Sequence, residues 1–291
     1  MKVLTSAKIN LSLDVTGRLD NGYHLIESVF QTVGLYDEVT VEPAESGISI
    51  SCDLPDSFAK SDPIPCDERN IAYKAAKLFA ETTGITSGCR IHITKGIPSQ
   101  AGMGGGSTDA AAVIYCLNIL TGVRAPASEL AAMGKKLGAD VPFFFTGGTA
   151  YAGGIGEEIT SLPDWSGRTL VIAKGTEGVS TGEAYARIDA LEEPFHPDTH
   201  ALVNALRNSP DDAHRFFGNL FEQAVRLDDV YALKKEMLAS GALSSVMTGS
   251  GSAVFGLFPD KNAADICASK LRILGYFAQV CTTVSEAFIN A

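Results

Sequence analysis

Between residues 7 and 15 the chain reads A-K-I-N-L-S-L-D-V, with apolar side chains on every second position. Period-two alternation marks a strand with two distinct faces, so Ile9, Leu11, Leu13 and Val15 share one face and Lys8, Asn10, Ser12 and Asp14 the other. Gly17 and the Asp20-Asn21-Gly22 cluster end this strand in a turn, and Tyr23 and His24 follow at once. Residues 29–41 and 48–52 predict two more strands. Beyond a proline-rich loop, Asp67, Glu68, Arg69 and Asn70 can cap a helix running to about Thr83, with Ile71, Ala75, Leu78 and Phe79 near helical spacing. A strand over 90–95 runs directly into a glycine-rich segment. Ser107, Thr108 and Asp109 then stand where they would cap the helix that residues 110–120 continue. Another helix is predicted over 128–137, entered from Pro126, and residues 147–156 read as a glycine-loosened strand and turn. The pattern restarts with a strand at 169–173 and helices at 183–188, 201–206 and 220–239. A glycine- and serine-rich turn then leads into a buried strand within 246–258, a helix at 263–274 and a last strand at 277–281. With no internal repeat, this order predicts an α+β chain.

Composition narrows the function classes. At 291 residues the length suits one large or two fused domains, and 45% hydrophobic with 20% charged residues is the makeup of an ordinary globular chain. Lys plus Arg number 23 against 34 Asp plus Glu, a formal net charge of −11. Such a surface repels phosphate backbones and anionic membranes, yet leaves room for a small phosphorylated ligand in a local pocket. The six cysteines form no C-x-x-C pair and read as reduced, mostly buried thiols. His196 and His200 have a spacing seen in zinc sites, but Pro194 and Pro197 break any helix there and no cysteine completes the set, so no protein metal site is assigned. The apolar stretch 110–120 is interrupted by Asn118 and too short to span a bilayer, and Lys8, Asn10 and Asp14 interrupt any signal-peptide core. The expectation is a soluble, cytoplasmic protein, monomeric or homodimeric.

The candidate chemistry concentrates in G-I-P-S-Q-A-G-M-G-G-G-S-T-D, residues 96–109. A strand, a loop cleared of side chains at Gly102, Gly104, Gly105 and Gly106, and a helix N-terminus make an anion site, because unpaired amides converge where the helix dipole favours negative charge. The bland alternative is a turn that only joins two elements. The P-loop pattern fails for want of a lysine after the glycines, and neither G-M-G-G-G-S nor G-S-G-S-A-V is the dinucleotide fingerprint. Asp140 stands between a helix end and the apolar run 141–145. A carboxylate there is either a local turn residue or a functional group.

Three blocks agree in order and spacing: A-K-I-N-L, then P-S-Q-A-G-M-G-G-G-S-T-D-A-A, then M-T-G-S-G-S-A-V-F-G. Together they resemble the GHMP kinases, which phosphorylate small molecules. G-R-L-D-N-G-Y-H, V-F-Q-T-V and L-G-A-D-V-P-F-F resemble more narrowly the branch whose acceptor is cytidine-diphosphate-linked methylerythritol, in the non-mevalonate isoprenoid pathway. The resemblance implies a two-domain fold, with an ATP-binding domain over 1–155, a substrate domain over 156–291, a last strand free to return to the first, and an active site between them. It implies Asp140 as catalytic base with Lys8 beside it; taken by itself, outside the motif, Lys8 reads as a solvated strand residue. Gly102, Gly104, Gly105, Gly106, Ser107 and Thr108 would hold the ATP phosphates, with Asn70, Lys95 and Pro98 around the nucleotide. Mg²⁺ would be held largely by phosphate oxygens and water. Tyr23, His24, Thr181 and Tyr185, with Asn10, would bind the acceptor, two aromatic faces sandwiching the pyrimidine; as bland alternatives the tyrosines are packing residues and His24 a loop histidine. The rival readings are another GHMP kinase, of homoserine or mevalonate type, and a non-catalytic nucleotide-binding protein. The presence of both Lys8 and Asp140 argues against the second.

Overall fold

The computed structural model describes residues 1–55 and 64–291; the expected proline-rich loop lies partly outside them. The alternating stretch is the middle of a long strand, β1 (Lys2–Arg18), paired antiparallel along its length with β2 (His24–Ala44). Strand β3 (Ile48–Asp53) follows, then helix α1 (Ile71–Thr83), capped by Asn70, whose Oδ1 accepts from the Ala72 amide at 2.8 Å. Next come β4 (Gly88–Thr94), α2 (Gly105–Leu120), α3 (Ala127–Lys135), the short α4 (Phe143–Thr146) and the hairpin β5 (Thr149–Gly153) and β6 (Glu158–Ser161). The C-terminal half runs β7 (Thr169–Lys174), α5 (Thr181–Asp189), α6 (Thr199–Asn208), β8 (Gly218–Asn219), α7 (Phe221–Ala224), α8 (Asp228–Ala239), β9 (Ser244–Met247), β10 (Val254–Phe258), α9 (Lys261–Ile273), β11 (Phe277–Thr282) and β12 (Phe288–Asn290).

Among the described residues these strands form two sheets. The first follows the order β12-β1-β2-β4-β3, with β5 also on β2, β6 on β5 and β8 on β1. The second is antiparallel, in the order β11-β7-β10-β9. The residue 155/156 division falls in the turn between β5 and β6, so β6 stays with the first sheet, and β8 and β12 rejoin it from the C-terminal half. The expected last strand, 277–281, is β11 in the second sheet.

Both faces of β1 are buried. Ala7, Ile9 and Leu11 share a core with Leu170, Ile172 and Phe255 of the second sheet, so the two halves pack through this strand. Its polar face, from Lys8 to Asp14, is equally enclosed and must find partners inside the protein. The single helix expected over 220–239 is two, α7 and α8. Val225 and Leu227 leave the helical conformation between them and turn their side chains to the core. That break lets Asp229 accept the amides of Thr176 and Glu177 at 2.9 and 3.2 Å. Six free thiols are present; Cys89, Cys116, Cys267 and Cys281 are buried, and Cys66 is exposed. Among the described residues no helix is long and apolar enough to cross a membrane.

Candidate active site

The glycine segment enters α2 three residues earlier than its polar triplet suggests. Gly104 takes φ +71°, a left-handed conformation that glycine adopts freely, and α2 starts at Gly105. Ser107, Thr108 and Asp109 therefore lie inside the helix and do not cap it. Gly104 has no side chain to accept from the first helical amides, so those of Gly105, Gly106 and Ser107 are left for a ligand, while Thr108 N bonds back to Gly104 O at 2.8 Å. Ser107 faces the cleft. Thr108, one position on and rotated about 100°, turns into the core, where its hydroxyl bonds that of Thr5. It takes no part in the phosphate site by its side chain, a correction to the expected role.

A second glycine turn, 248–251, holds this loop from behind. Gly102, at φ +69°, would place a Cβ 2.2 Å from Thr248 O, and a Cβ on Gly249 would fall 2.6 Å from Gly102 Cα. The two backbones touch, and only glycine fits on either side. We expect Gly102→Ala to lower the melting temperature by an amount corresponding to about 1–3 kcal/mol and to weaken ATP binding. Unchanged thermal melting and ATP titration would show that the contact is not required.

The expected pair Lys8 and Asp140 does meet. Lys8 is 4% exposed, and its Nζ lies 3.6 Å from Asp140 Oδ2, 2.7 Å from Asn10 Oδ1 and 4.8 Å from the centre of the Phe30 ring. Asp140 sits just before α4 with a side chain 32% exposed to the cleft. A buried cation is thus fixed by neutral partners on its inner side and faces one accessible carboxylate. Asn10 lines the cleft, but its polar atoms are engaged. Oδ1 also accepts from Gly249 N at 3.0 Å, and Nδ2 donates to Ser28 Oγ at 2.8 Å. Its side chain therefore aligns Lys8 and anchors the second glycine turn, and it is not a free ligand group.

The cleft, about 1020 Å³, extends from the glycine loop past Asp140 to Tyr23, His24, Thr181 and Tyr185. His24 and Tyr185 stack on each other with ring centroids 4.4 Å apart and planes inclined by 16°, which leaves no space for a base between them. A pyrimidine sandwich would use the outer face of this pair and Tyr23, which is 59% exposed on its turn. Burial, and then the Asp140 carboxylate, push the Tyr185 phenol up to about 12, so it is a neutral donor at physiological pH. His24 Nε2 meets Asp189 Oδ1 at 2.7 Å, and Arg18 bonds the other oxygen of that carboxylate at 3.0 Å. Thr181 Oγ1 lies 3.1 Å from Ser250 Oγ.

At the other end of the cleft, Pro98 lines the wall. Asn70 is occupied as the α1 cap and by a bond from Nδ2 to Pro65 O at 2.8 Å. Lys95 is paired with Asp37 and Asp109, and a Cβ on Gly105 would lie 3.4 Å from its Nζ, so its ammonium lies beside the start of α2. His196 bonds Asp14 at 2.8 Å and His200 faces Glu27 at 3.4 Å, each with its own carboxylate. Among the described residues no group of three potential metal ligands occurs.

Asp37 and Asp189 escaped the reading of the chain. Asp37 carried a usable signal: in β2 it falls in register with Leu35, Val39 and Val41, an acid on a core-facing row. Asp189 had none, since it reaches His24 across 165 residues.

Known proteins resemble this chain along most of its length. Residues 70–148 match the GHMP kinases N terminal domain and 198–276 the GHMP kinases C terminal family. The 4-diphosphocytidyl-2-C-methyl-D-erythritol kinase of Clostridium botulinum (strain Eklund 17B / Type B) is 44% identical over 275 residues, covering 94% of this chain and 96% of the relative. The enzyme of the same name from Clostridium tetani is 42% identical over 276 residues, covering 94% and 96%. A crystal structure of 4-(cytidine 5'-diphospho)-2C-methyl-D-erythritol kinase superposes with a TM-score of 0.77 at 32% identity, covering 97% of this chain and 99% of that one. A homoserine kinase from Cytophaga hutchinsonii gives 0.76 at 20% identity, covering 99% and 96%, a likeness of fold alone. The chain belongs to the GHMP kinases, and among them to the 4-diphosphocytidyl-2-C-methyl-D-erythritol kinase family.

Proposed function

We propose that this protein transfers the γ-phosphoryl group of ATP to a hydroxyl of 4-diphosphocytidyl-2-C-methyl-D-erythritol, a step of non-mevalonate isoprenoid synthesis. The observation that carries the reading is the Lys8–Asp140 pair, 3.6 Å apart, in a cleft that joins an uncapped helix N-terminus to an aromatic cluster. The names of the relatives support the acceptor.

In this reading the amides of Gly105, Gly106 and Ser107 bind phosphate oxygens, and Asp140 accepts the proton of the attacking hydroxyl. The new bond from the acceptor oxygen to the γ-phosphorus forms as the bond to the bridging oxygen breaks, and ADP leaves. Lys8 draws charge from the reacting oxygens, which suits a reaction run mainly by positioning and electrostatics. The donor set near the loop fits an ion that arrives on the nucleotide: Asp109 is the acid there, and its Oδ2 is held by Lys95 at 2.7 Å. Mg²⁺ so carried supplies charge neutralisation on the phosphates.

Incubation with γ-labelled ATP tests the reading: label is expected in the cytidyl acceptor, and ATP binding with no labelled product would favour the non-catalytic alternative. The aromatic cluster gives a second check. Tyr23→Ala and His24→Ala are expected to raise KM for the cytidyl substrate by about tenfold to a hundredfold, the worth of one stacked base, with ATP affinity nearly unchanged. Equal loss of ATP binding in both variants would contradict this placement of the pyrimidine.

A further inference from the structure

A buried charge cluster underlies the phosphate loop. Lys95 at the end of β4, Asp37 on β2 and Asp109 in α2 have side chains 4%, 0% and 6% exposed. Lys95 Nζ bonds Oδ2 of Asp37 and, at 2.7 Å, Oδ2 of Asp109. Two carboxylates thus share one ammonium, and an ammonium has three hydrogens, so one donor remains.

The two acids are not equivalent. Asp37 Oδ1 also accepts the amides of Gly96 and Ile97 at 2.7 and 2.8 Å, so Asp37 receives three donors and braces the entry to the glycine loop. Asp109 receives one, and its Oδ1 is buried without a partner. Were both acids ionised, a net negative charge would lie under the helix turn a triphosphate must approach, where burial makes it costly.

We propose that Asp37 and Asp109 divide Lys95 between them, Asp37 as its ionised counter-ion and Asp109 as an uncharged acid, and that this neutral cluster positions the ammonium beneath the first turn of α2 for nucleotide phosphates. The proton resides on the Asp109 carboxyl, which receives a single donor where Asp37 receives three. The surroundings agree. Burial, and then repulsion from Asp37, outweigh Lys95 and raise the Asp109 pKa well above the carboxylate range. The Cys52 thiol, on β3, also feels the cluster and is neutral: burial first, then Cys66, push it up to about 12. Asp37 and Asp109 are positioning residues, acting through Lys95.

The proposal rests on the ATP reading of the loop, and calorimetric titration of the full chain with ATP separates the two: a wild-type chain that binds no ATP overturns both. If wild type binds, Asp37→Asn is expected to weaken ATP about tenfold or more, the scale of one hydrogen bond to a charged group, with KM for the acceptor unchanged. ATP affinity within twofold of wild type would overturn the role of Asp37. The proton on Asp109 is read separately by infrared spectroscopy at neutral pH. A protonated-carboxyl stretch is expected in wild type and not in Asp109→Asn; identical spectra in this region would overturn the assignment. Raising the pH ionises Asp109 and adds negative charge, so wild-type ATP affinity should fall in alkaline solution and that of Asp109→Asn should not. Parallel falls in both proteins would contradict the proposal. Should Asp37→Asn not fold, the two comparisons on Asp109 decide alone.

Discussion

Asp140→Asn is expected to bind ATP and acceptor normally and to lower kcat by roughly a hundredfold to ten-thousandfold, the contribution of a positioned general base. The substitution keeps shape and removes the charge that accepts the hydroxyl proton. The position tolerates it structurally, because the Asp140 side chain is one-third open to the cleft and its ion pair with Lys8 is at 3.6 Å. If Asp140 served only the turn before α4, the variant would instead melt at lower temperature and the folded enzyme would keep its rate. Measuring kcat and melting on the same preparations separates these outcomes.

Lys8→Met is expected to act at the same step and with comparable size. Methionine approximates the length of the buried stem and can pack against Phe30, which lies beneath the ammonium at 4.8 Å. Asn10 Oδ1 retains Gly249 N as a donor at 3.0 Å, so the second glycine turn stays anchored when the ammonium is gone. What disappears is the buried cation that faces the Asp140 carboxylate at 3.6 Å. If the two residues work as one unit, the double variant should be scarcely slower than the slower single variant. Multiplication of the two losses would show independent roles.

The α+β organisation was legible because the elements that build it are strongly patterned. The alternation in β1 and the Asn70 cap of α1 each express one local rule, and both appear in the structure. The polar face of β1 illustrates what alternation leaves open. It separates Lys8 and Asn10 from Ile9 and Leu11, yet cannot tell that both faces are covered, since the second sheet begins only at Thr169. Helix starts and breaks depended on conformations with no simple composition signal. Gly104 in a left-handed conformation moved the start of α2 forward and left Thr108 facing Thr5. The extended conformation at Leu227 divided the expected helix into α7 and α8.

For the site, Lys8 and Asp140 were placed together by resemblance, and the geometry gives that pairing its distance. The partners that hold the site, Asp189 on His24 and Thr248 against Asn10, arise from tertiary contacts. Asp37 differs: an acid in a core-facing row demands a buried cation, and asking which lysine supplies it leads to Lys95.

Acceptor choice is not decided by the fold, because the homoserine kinase superposes about as well as the cytidyl enzyme. The direct measurement is kcat/KM with ATP for 4-diphosphocytidyl-2-C-methyl-D-erythritol, homoserine and mevalonate on one preparation of the protein. We expect turnover of the cytidyl acceptor with a kcat/KM about tenfold to a hundredfold above the other two, the discrimination available from one stacked base. Preferential phosphorylation of homoserine or mevalonate would contradict it.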